Sequence, residues 1–383
     1  MLLYNMLNII FLLLLLVFVA LIIFSVITGV KQKYINYNNN DKFFFLDKTV
    51  TDTIRGISIL MIMLAHIVQQ LDDRLVLNFT GGKYIKLIVF SWGGVGVGIF
   101  FLLSGYGNLV SIGKVINNKS LRINWILKRI IRLIVSFLFS FLFVVFITKL
   151  LGVCHYDCQG LCLHFIQLKL PDCSTWYLKI QILLYFLLFL SFIITGLIKN
   201  KNNVIIALLF LTVFVLCYDL IAFYCLKLPD YWWKTSFCFV FGTLLYYIKS
   251  KVEKKLQNRI YNWICFFVVL LIFSFSYILS IRNTASLVSL FLFAMISASI
   301  CYMLNIFNVS NKFLSRIGHI SLELYLIHIG LMNVIETKIF SFSNNWTLSF
   351  NVVFFILISI PLSYLTNTLS SKIVSRIMFN VNK

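Results

Sequence analysis

Residues 54–66 read IRGISILMIMLAH. The stretch is apolar enough to enter a lipid bilayer, yet it carries Arg55 near one end and His66 eleven residues later. Eleven residues make three helical turns, so on an α-helix the two side chains lie on nearly one face, roughly 16 Å apart along the axis. A cation and an imidazole are expensive in lipid, and each must face a partner or a cavity.

The same solvent is written along the rest of the chain. Of 383 residues, 61% are hydrophobic and 12% charged, and the mean hydropathy is +0.97. A water-soluble chain of this length needs more polar surface than that. The apolar runs are continuous rather than alternating every second residue, which selects helices over a β-barrel, the only other way to satisfy a backbone in lipid. The expected fold is therefore an all-α, polytopic membrane bundle. Eleven spans are long enough to cross: about 6–29, 54–72, 87–110, 130–150, 176–197, 204–226, 233–248, 260–281, 286–306, 317–336 and 348–368.

The formal charge of +21 does not indicate nucleic-acid binding, because the basic residues fall in short clusters between apolar runs. One alternate set of loops, from Lys31 and Lys33 through Arg122, Lys128, Lys251 and Arg316 to Lys383, holds 22 of the 33 cations. The positive-inside rule places that set in the cytoplasm, with the N-terminus outside and the C-terminus inside a cell (inner) membrane. The chain then divides into an N-terminal transmembrane helix (1–30), a cytoplasmic linker (31–50), a membrane domain (50–370) and a cytoplasmic tail (371–383). The first span lacks a basic n-region and a small-residue cleavage signature, so it reads as a retained helix rather than a signal peptide.

Four of the nine cysteines, Cys154, Cys158, Cys162 and Cys173, sit in an expected external loop together with His155 and His164. Their spacing is not that of a common structural zinc site, and no metal is expected. An oxidising exterior favours one or two disulfides among the four. Cys217, Cys225, Cys238, Cys265 and Cys301 lie within or near apolar spans and read as packing residues.

Further polar features interrupt the spans. In GGVGVGIFFLLSGYG (93–107), Gly94 and Gly98 permit close helix contact, and the Ser104 hydroxyl has its own backbone within reach. In LKRIIRL, Arg129 and Arg132 share a face at the mouth of the next span, where a lone arginine is ordinarily an anchor to the anionic leaflet. Taken singly, each of these has an undistinguished explanation. Taken together and in order, RGISILMIMLAH, GIFFLLSGYG, KRIIR, TWYLKIQILLYF and GHISLELYLIHIG resemble the acyltransferase-3 family of integral membrane acyltransferases. The resemblance covers about residues 50–370. It rests on Arg-x10-His at 55 and 66, Phe-Phe-x-x-Ser-Gly-Tyr at 100–106, the pair Arg129 and Arg132, and Ser321, Tyr325 and His328 of SLELYLIH. The chain departs from the family at Gly98 and Ile99, where members often carry an acid, at the missing proline after the arginine pair, and at Gly330, where proline is common. No esterase-like extracellular domain of the kind fused in some members is expected.

The resemblance implies a ten-helix core behind the N-terminal helix and O-acylation of a cell-surface polysaccharide or lipid-linked sugar. The donor would be an acyl-CoA such as acetyl-CoA, arriving from the cytoplasm as a substrate, with no cofactor bound permanently. Arg55, Arg129, Arg132 and Ser104 are implied to bind it, since guanidinium forks suit phosphate. His66, past the midplane, is the implied catalytic residue. An imidazole can take the proton of an attacking sugar hydroxyl, and an acyl-histidine intermediate is the competing mechanism. Tyr106, Trp176, Ser321, Tyr325 and His328 are expected to line the substrate cavity, the last three sharing a face at i, i+4 and i+7. His319 and Glu323, i and i+4 on another side, are expected to neutralise each other. The alternative from a different class is a transporter or flippase that uses the same basic cavity for passage. Broken helices and paired repeats would mark it, and the sequence shows neither clearly. The topology has a direct check. In a background without native cysteines, a cysteine beside Arg55 is expected to react with an impermeant thiol reagent only from the cytoplasm, and one at Thr80 only from outside. Labelling of both from one side would overturn the orientation.

Overall fold

The computed structural model describes residues 2–38, 46–70, 82–112, 119–150, 152, 156–170, 173–197, 203–256, 259–282, 287–334 and 345–381. Almost all of these are helical. The helices are α1 (Leu2–Asn38), α2 (Lys48–Gln70), α3 (Gly82–Ile112), α4 (Lys119–Leu150), α5 (Cys158–Ile166), α6 (Trp176–Leu197), α7 (Asn203–Leu220), α8 (Phe237–Leu256), α9 (Arg259–Arg282), α10 (Val288–Ile306), α11 (Lys312–His319), α12 (Ser321–Val334) and α13 (Asn345–Val381). Two short strands, β1 (Lys169–Leu170) and β2 (Cys173–Ser174), pair antiparallel. A π-turn at Ile221–Cys225 and a 3-10 turn at Asp230–Trp232 link α7 to α8.

Among the described residues, each expected span falls mainly on helix. By length and composition, seven stretches among the described residues suffice to cross a membrane: Asn8–Lys31, Lys48–Gln69, Gly82–Ile112, Arg122–Leu150, Trp176–Gly196, Val204–Cys225 and Val288–Ile306. The chain is an all-α polytopic membrane bundle. Its boundaries differ from expectation where nothing breaks a helix. α1 runs on to Asn38 and α13 to Val381, into the expected linker and tail, because neither extension contains glycine or proline. Part of the loop expected to lie outside is also helical: Asp157 caps α5 by accepting the Gly160 amide at 2.8 Å.

One span does break. The stretch expected at 317–336 is interrupted at Ile320 (φ −98°, ψ 11°), which ends α11 and lets α12 start afresh at Ser321. His319 and Glu323 are therefore not one turn apart on one helix, and the expected pair between them does not form. The His319 imidazole lies 3.2 Å from the Asp52 carboxylate instead, and Glu323 accepts from Ser136 at 2.7 Å and Ser370 at 3.4 Å.

Glycines set how closely the central helices cross. Gly56 of α2 lies against the Leu314 backbone of α11, and Gly318 of α11 lies against the Asp52 backbone of α2. Gly105 of α3 and Gly242 of α8 repeat the arrangement, against Phe239 and Leu102 respectively. A methyl group at any of the four would collide with a main-chain carbonyl. Small residues on both sides of a crossing let backbones approach as they do in other membrane bundles. Gly94 and Gly98 serve the packing role read from the sequence, against Phe293 and Ser297 of α10. α1 lies at the periphery, with Leu13, Leu16, Val17, Ile23 and Phe24 exposed toward lipid.

The two glycines of Ser-Gly-Tyr-Gly make a sharp contrast, since nothing lies within 4 Å of a Cβ built at Gly107. Gly105→Ala is expected to destabilise the bundle by about 1–3 kcal/mol through overpacking. Gly107→Ala is expected to be neutral. Thermal unfolding of the two purified variants in detergent checks this, and equal midpoints would contradict the close crossing of α3 and α8.

Candidate active site

Arg55 is positioned by a residue three positions before it. Its Nη1 donates to Asp52 Oδ1 at 3.1 Å, while Asp52 Oδ2 faces His319 Nε2 at 3.2 Å. Asp52 itself is buried, so its two oxygens hold the start of α2 and the end of α11 together. The Arg55 side chain remains 36% exposed, which leaves guanidinium donors open for a ligand.

Arg129 heads a second arm. α2 and α3 run antiparallel, with Gly96 against Ser58 and Gly93 against Ala65, so Arg55 near the start of α2 and Asn108 near the end of α3 belong to the same end of the bundle. The Arg129 guanidinium lies 4.2 Å from the Trp125 ring centroid, and it donates to Asn108 Oδ1 and Ser111 Oγ. Asn108 Nδ2 in turn donates to the Ser104 hydroxyl at 3.1 Å. Ser104 also receives the Gln181 amide at 2.9 Å and contacts the Tyr185 hydroxyl at 3.2 Å. Gln181 Oε1 accepts from the Tyr177 hydroxyl at 3.2 Å. The result is a continuous polar path, Arg129–Asn108–Ser104–Gln181–Tyr177, leading inward from the arginine end. Ser104 does not spend its hydroxyl on its own backbone but joins three side chains.

At Tyr177 the path meets aromatic rings. Phe101 lies 4.9 Å away and Tyr325 5.1 Å away, centroid to centroid. Tyr325 is 5.8 Å from His328, and His328 is 5.2 Å from His66. The two histidines come from α2 and α12 and meet in the interior. His328 Nδ1 lies 2.7 Å from the Leu324 carbonyl, which can only accept, so Nδ1 carries the proton. Its Nε2 is then an acceptor, buried and without a hydrogen-bond partner. His66 is largely, though not wholly, covered. One largely covered imidazole therefore stands beside a second whose tautomer is set.

The acyltransferase-domain family model matches residues 51–368. The chain belongs to the acyltransferase-3 family. No curated protein and no solved structure matches it.

In this acyltransferase-3 protein the motifs fall unevenly around the histidine pair. Ser104, Arg129, Tyr325, His328 and His66 are joined by the two sets of contacts just described. Trp176 sits at their far end, 6.4 Å from Tyr177. Ser321 is buried at the first residue of α12. Arg132 is exposed on α4 and does not enter the path. Tyr106 packs edge-on against Tyr246 of α8 at 5.5 Å, with Lys249 Nζ 5.9 Å from its ring, and is not brought to the histidines. Cys158 and Cys162 stand as free, exposed thiols in this structure. Cys154, His155 and the side chain of Cys173 lie outside the described residues. Five site residues escaped the motif reading: Asp52, Asn108, Tyr177, Gln181 and Tyr185. The last three were legible as a stripe at i, i+4 and i+8 in TWYLKIQILLY.

Asn108 is the joint on which Arg129 turns. Asn108→Ala is expected to weaken acyl-CoA binding about tenfold, equivalent to about 1.4 kcal/mol, with Arg132→Ala changing it less than twofold. Isothermal titration of acetyl-CoA into the purified protein measures both, and an unchanged affinity in Asn108→Ala would argue against Arg129 as an acyl-CoA ligand.

Proposed function

We propose that the protein is an O-acetyltransferase that moves an acetyl group from cytoplasmic acetyl-CoA to a hydroxyl of a cell-surface polysaccharide or lipid-linked sugar. The observation that carries the reading is the continuity from Arg129 through Ser104, Gln181 and Tyr177 to Tyr325, His328 and His66. Phosphates belong at the arginine end, where Arg55 and Arg129 have guanidinium donors. CoA carries several negative charges and stays on that side, with only its acyl arm entering the bundle. The distribution of Lys and Arg supports a cytoplasmic arginine end and an N-terminus outside.

In this reading His66 takes the proton of the acceptor hydroxyl as its oxygen attacks the thioester carbonyl carbon. The new C–O bond forms, the C–S bond breaks, and the imidazolium returns the proton to the departing CoA thiolate, so no net proton is consumed. His328 supports the step with an acceptor nitrogen whose desolvation is not compensated within the protein. A buried, unpaired acceptor costs about 1–3 kcal/mol, and a donor from His66 or from the incoming hydroxyl would relieve it. Family membership carries the chemistry, so passage of a substrate without acyl transfer is not proposed.

His66→Ala is expected to lower transfer by about 10²–10⁴-fold while leaving acetyl-CoA affinity within a few fold. Arg55→Ala and Arg129→Ala are expected to do the reverse, weakening donor binding by about 10- to 100-fold, the worth of a charge-assisted hydrogen bond of roughly 1.5–3 kcal/mol. CoA release from acetyl-CoA in membranes holding the native acceptor, paired with donor titration, reads both. A His66→Ala protein within a few fold of wild type sinks the assignment.

A further inference from the structure

The acceptor needs its own foothold, at the end of the bundle away from Arg129. Four side chains from two segments gather there. Trp176 and Lys179 stand three residues apart on α6, and Tyr231 and Trp232 are carried by the 3-10 turn. The Trp176 and Tyr231 rings are 5.4 Å apart, and Lys179 Nζ lies 5.8 Å from the Trp232 ring centroid. Tyr231 is 43% exposed, so part of its ring is open. Beside it the Asp230 carboxylate, ion-paired with Lys234, keeps 55% of its side chain exposed.

The turn is held firmly. The Tyr218 hydroxyl donates to the Trp232 carbonyl at 2.8 Å, and the Lys234 amide to the Asp230 carbonyl at 3.0 Å. Trp233 is buried edge-on against Phe223 of the π-turn at 5.0 Å. A platform ordered before its ligand arrives loses little freedom on binding.

Aromatic side chains at the ends of membrane helices commonly serve as interface anchors. Trp176 does something that role does not require. Its second ring contact is Tyr177, and from there rings follow one another to Tyr325, His328 and His66. The exposed rim and the histidine pair are thus two ends of one aromatic ladder. Small-molecule sites combine aromatic walls with a few placed polar groups. The C–H face of a sugar ring suits an aromatic face, while an ammonium and a carboxylate donate to and accept from its hydroxyls.

We propose that Trp176, Tyr231, Lys179 and Asp230 form the docking site for a sugar ring of the acceptor, and that the ladder Trp176–Tyr177–Tyr325 directs the hydroxyl-bearing unit to His66. The inference rests on the reading of the protein as a glycan acyltransferase. The test is saturation-transfer NMR on the full-length protein in lipid nanodiscs, with three soluble tetrasaccharides as probes: a neutral hexose, an N-acetylhexosamine and a uronate-bearing one. At least one is expected to receive saturation from the wild type, and the signal is expected to fall at least fivefold in Trp176→Leu and Tyr231→Ala. Tyr84→Ala, which removes an exposed aromatic near the start of α3 at the same end, is expected to leave it unchanged. No transfer to any probe, an undiminished signal in Tyr231→Ala, or an equal loss in Tyr84→Ala would overturn the docking site. His66→Ala separates the two readings: it is expected to keep the sugar signal while losing CoA release. A retained signal together with wild-type CoA release would leave the docking site standing and remove the catalytic one.

Discussion

Lipid offers no hydrogen-bond partner, so the backbone and most polar side chains inside this bundle are answered from within the bundle. Most hydroxyls answer locally. Ser58 donates to the Ile54 carbonyl, Ser191 to Leu187 and Ser363 to Ser359, each one turn back along its own helix. A few reach across instead. Ser104 meets Gln181 and Tyr185 of α6, Ser136 meets Glu323 of α12, and Ser236 meets Asp219 of α7 at 2.5 Å. Such cross-helix bonds are individually modest in membranes. Their value here is register, because each fixes which turn of one helix faces which turn of another.

Asp52 shows how one such constraint propagates. Its carboxylate bridges Arg55 and His319, while its backbone receives Gly318 at the α2–α11 crossing. α11 is thereby held flat against α2. α12 follows after Ile320 alone, so the placement of its first turns is inherited from that crossing. His328 arrives beside His66 two turns later. Arg55 and the histidine pair thus depend on the same small-residue contact.

Two other buried acids, Glu323 and Asp219, are held without an ion pair of the kind Asp52 makes. Glu323 and Asp219 each accept from serine on one oxygen, and the other oxygen of each is buried without a hydrogen-bond partner. Hydroxyls give a carboxyl group polarity without a second charge to desolvate, which suits an interior where buried ion pairs recover little net energy. Glu323 joins α4, α12 and α13 in this way, and Asp219 joins the end of α7 to the turn before α8. Behind the Trp176 rim, that second contact steadies the segment which carries Tyr231 and Trp232.

Much of the molecule was readable before any coordinates. Continuous apolar runs determined an all-α membrane bundle, because only a helix closes its own hydrogen bonds in lipid. Three-turn spacing put Arg55 and His66 on one stripe, and the ordered motifs identified the family. The rest depended on which helices meet. Asn108 and Gln181 are ordinary polar residues in sequence, and they become parts of a path only because α3, α4 and α6 converge. Arg132 and Tyr106 belong to the same motifs as Arg129 and Ser104, yet Arg132 lies exposed and Tyr106 packs against Tyr246. His319 and Glu323 look like partners in sequence, but a break at Ile320 puts them on different helices. Periodicity along one helix is a local property and is written in the chain. Partnership between helices is a property of contacts distant in sequence, and only the tertiary structure decides it.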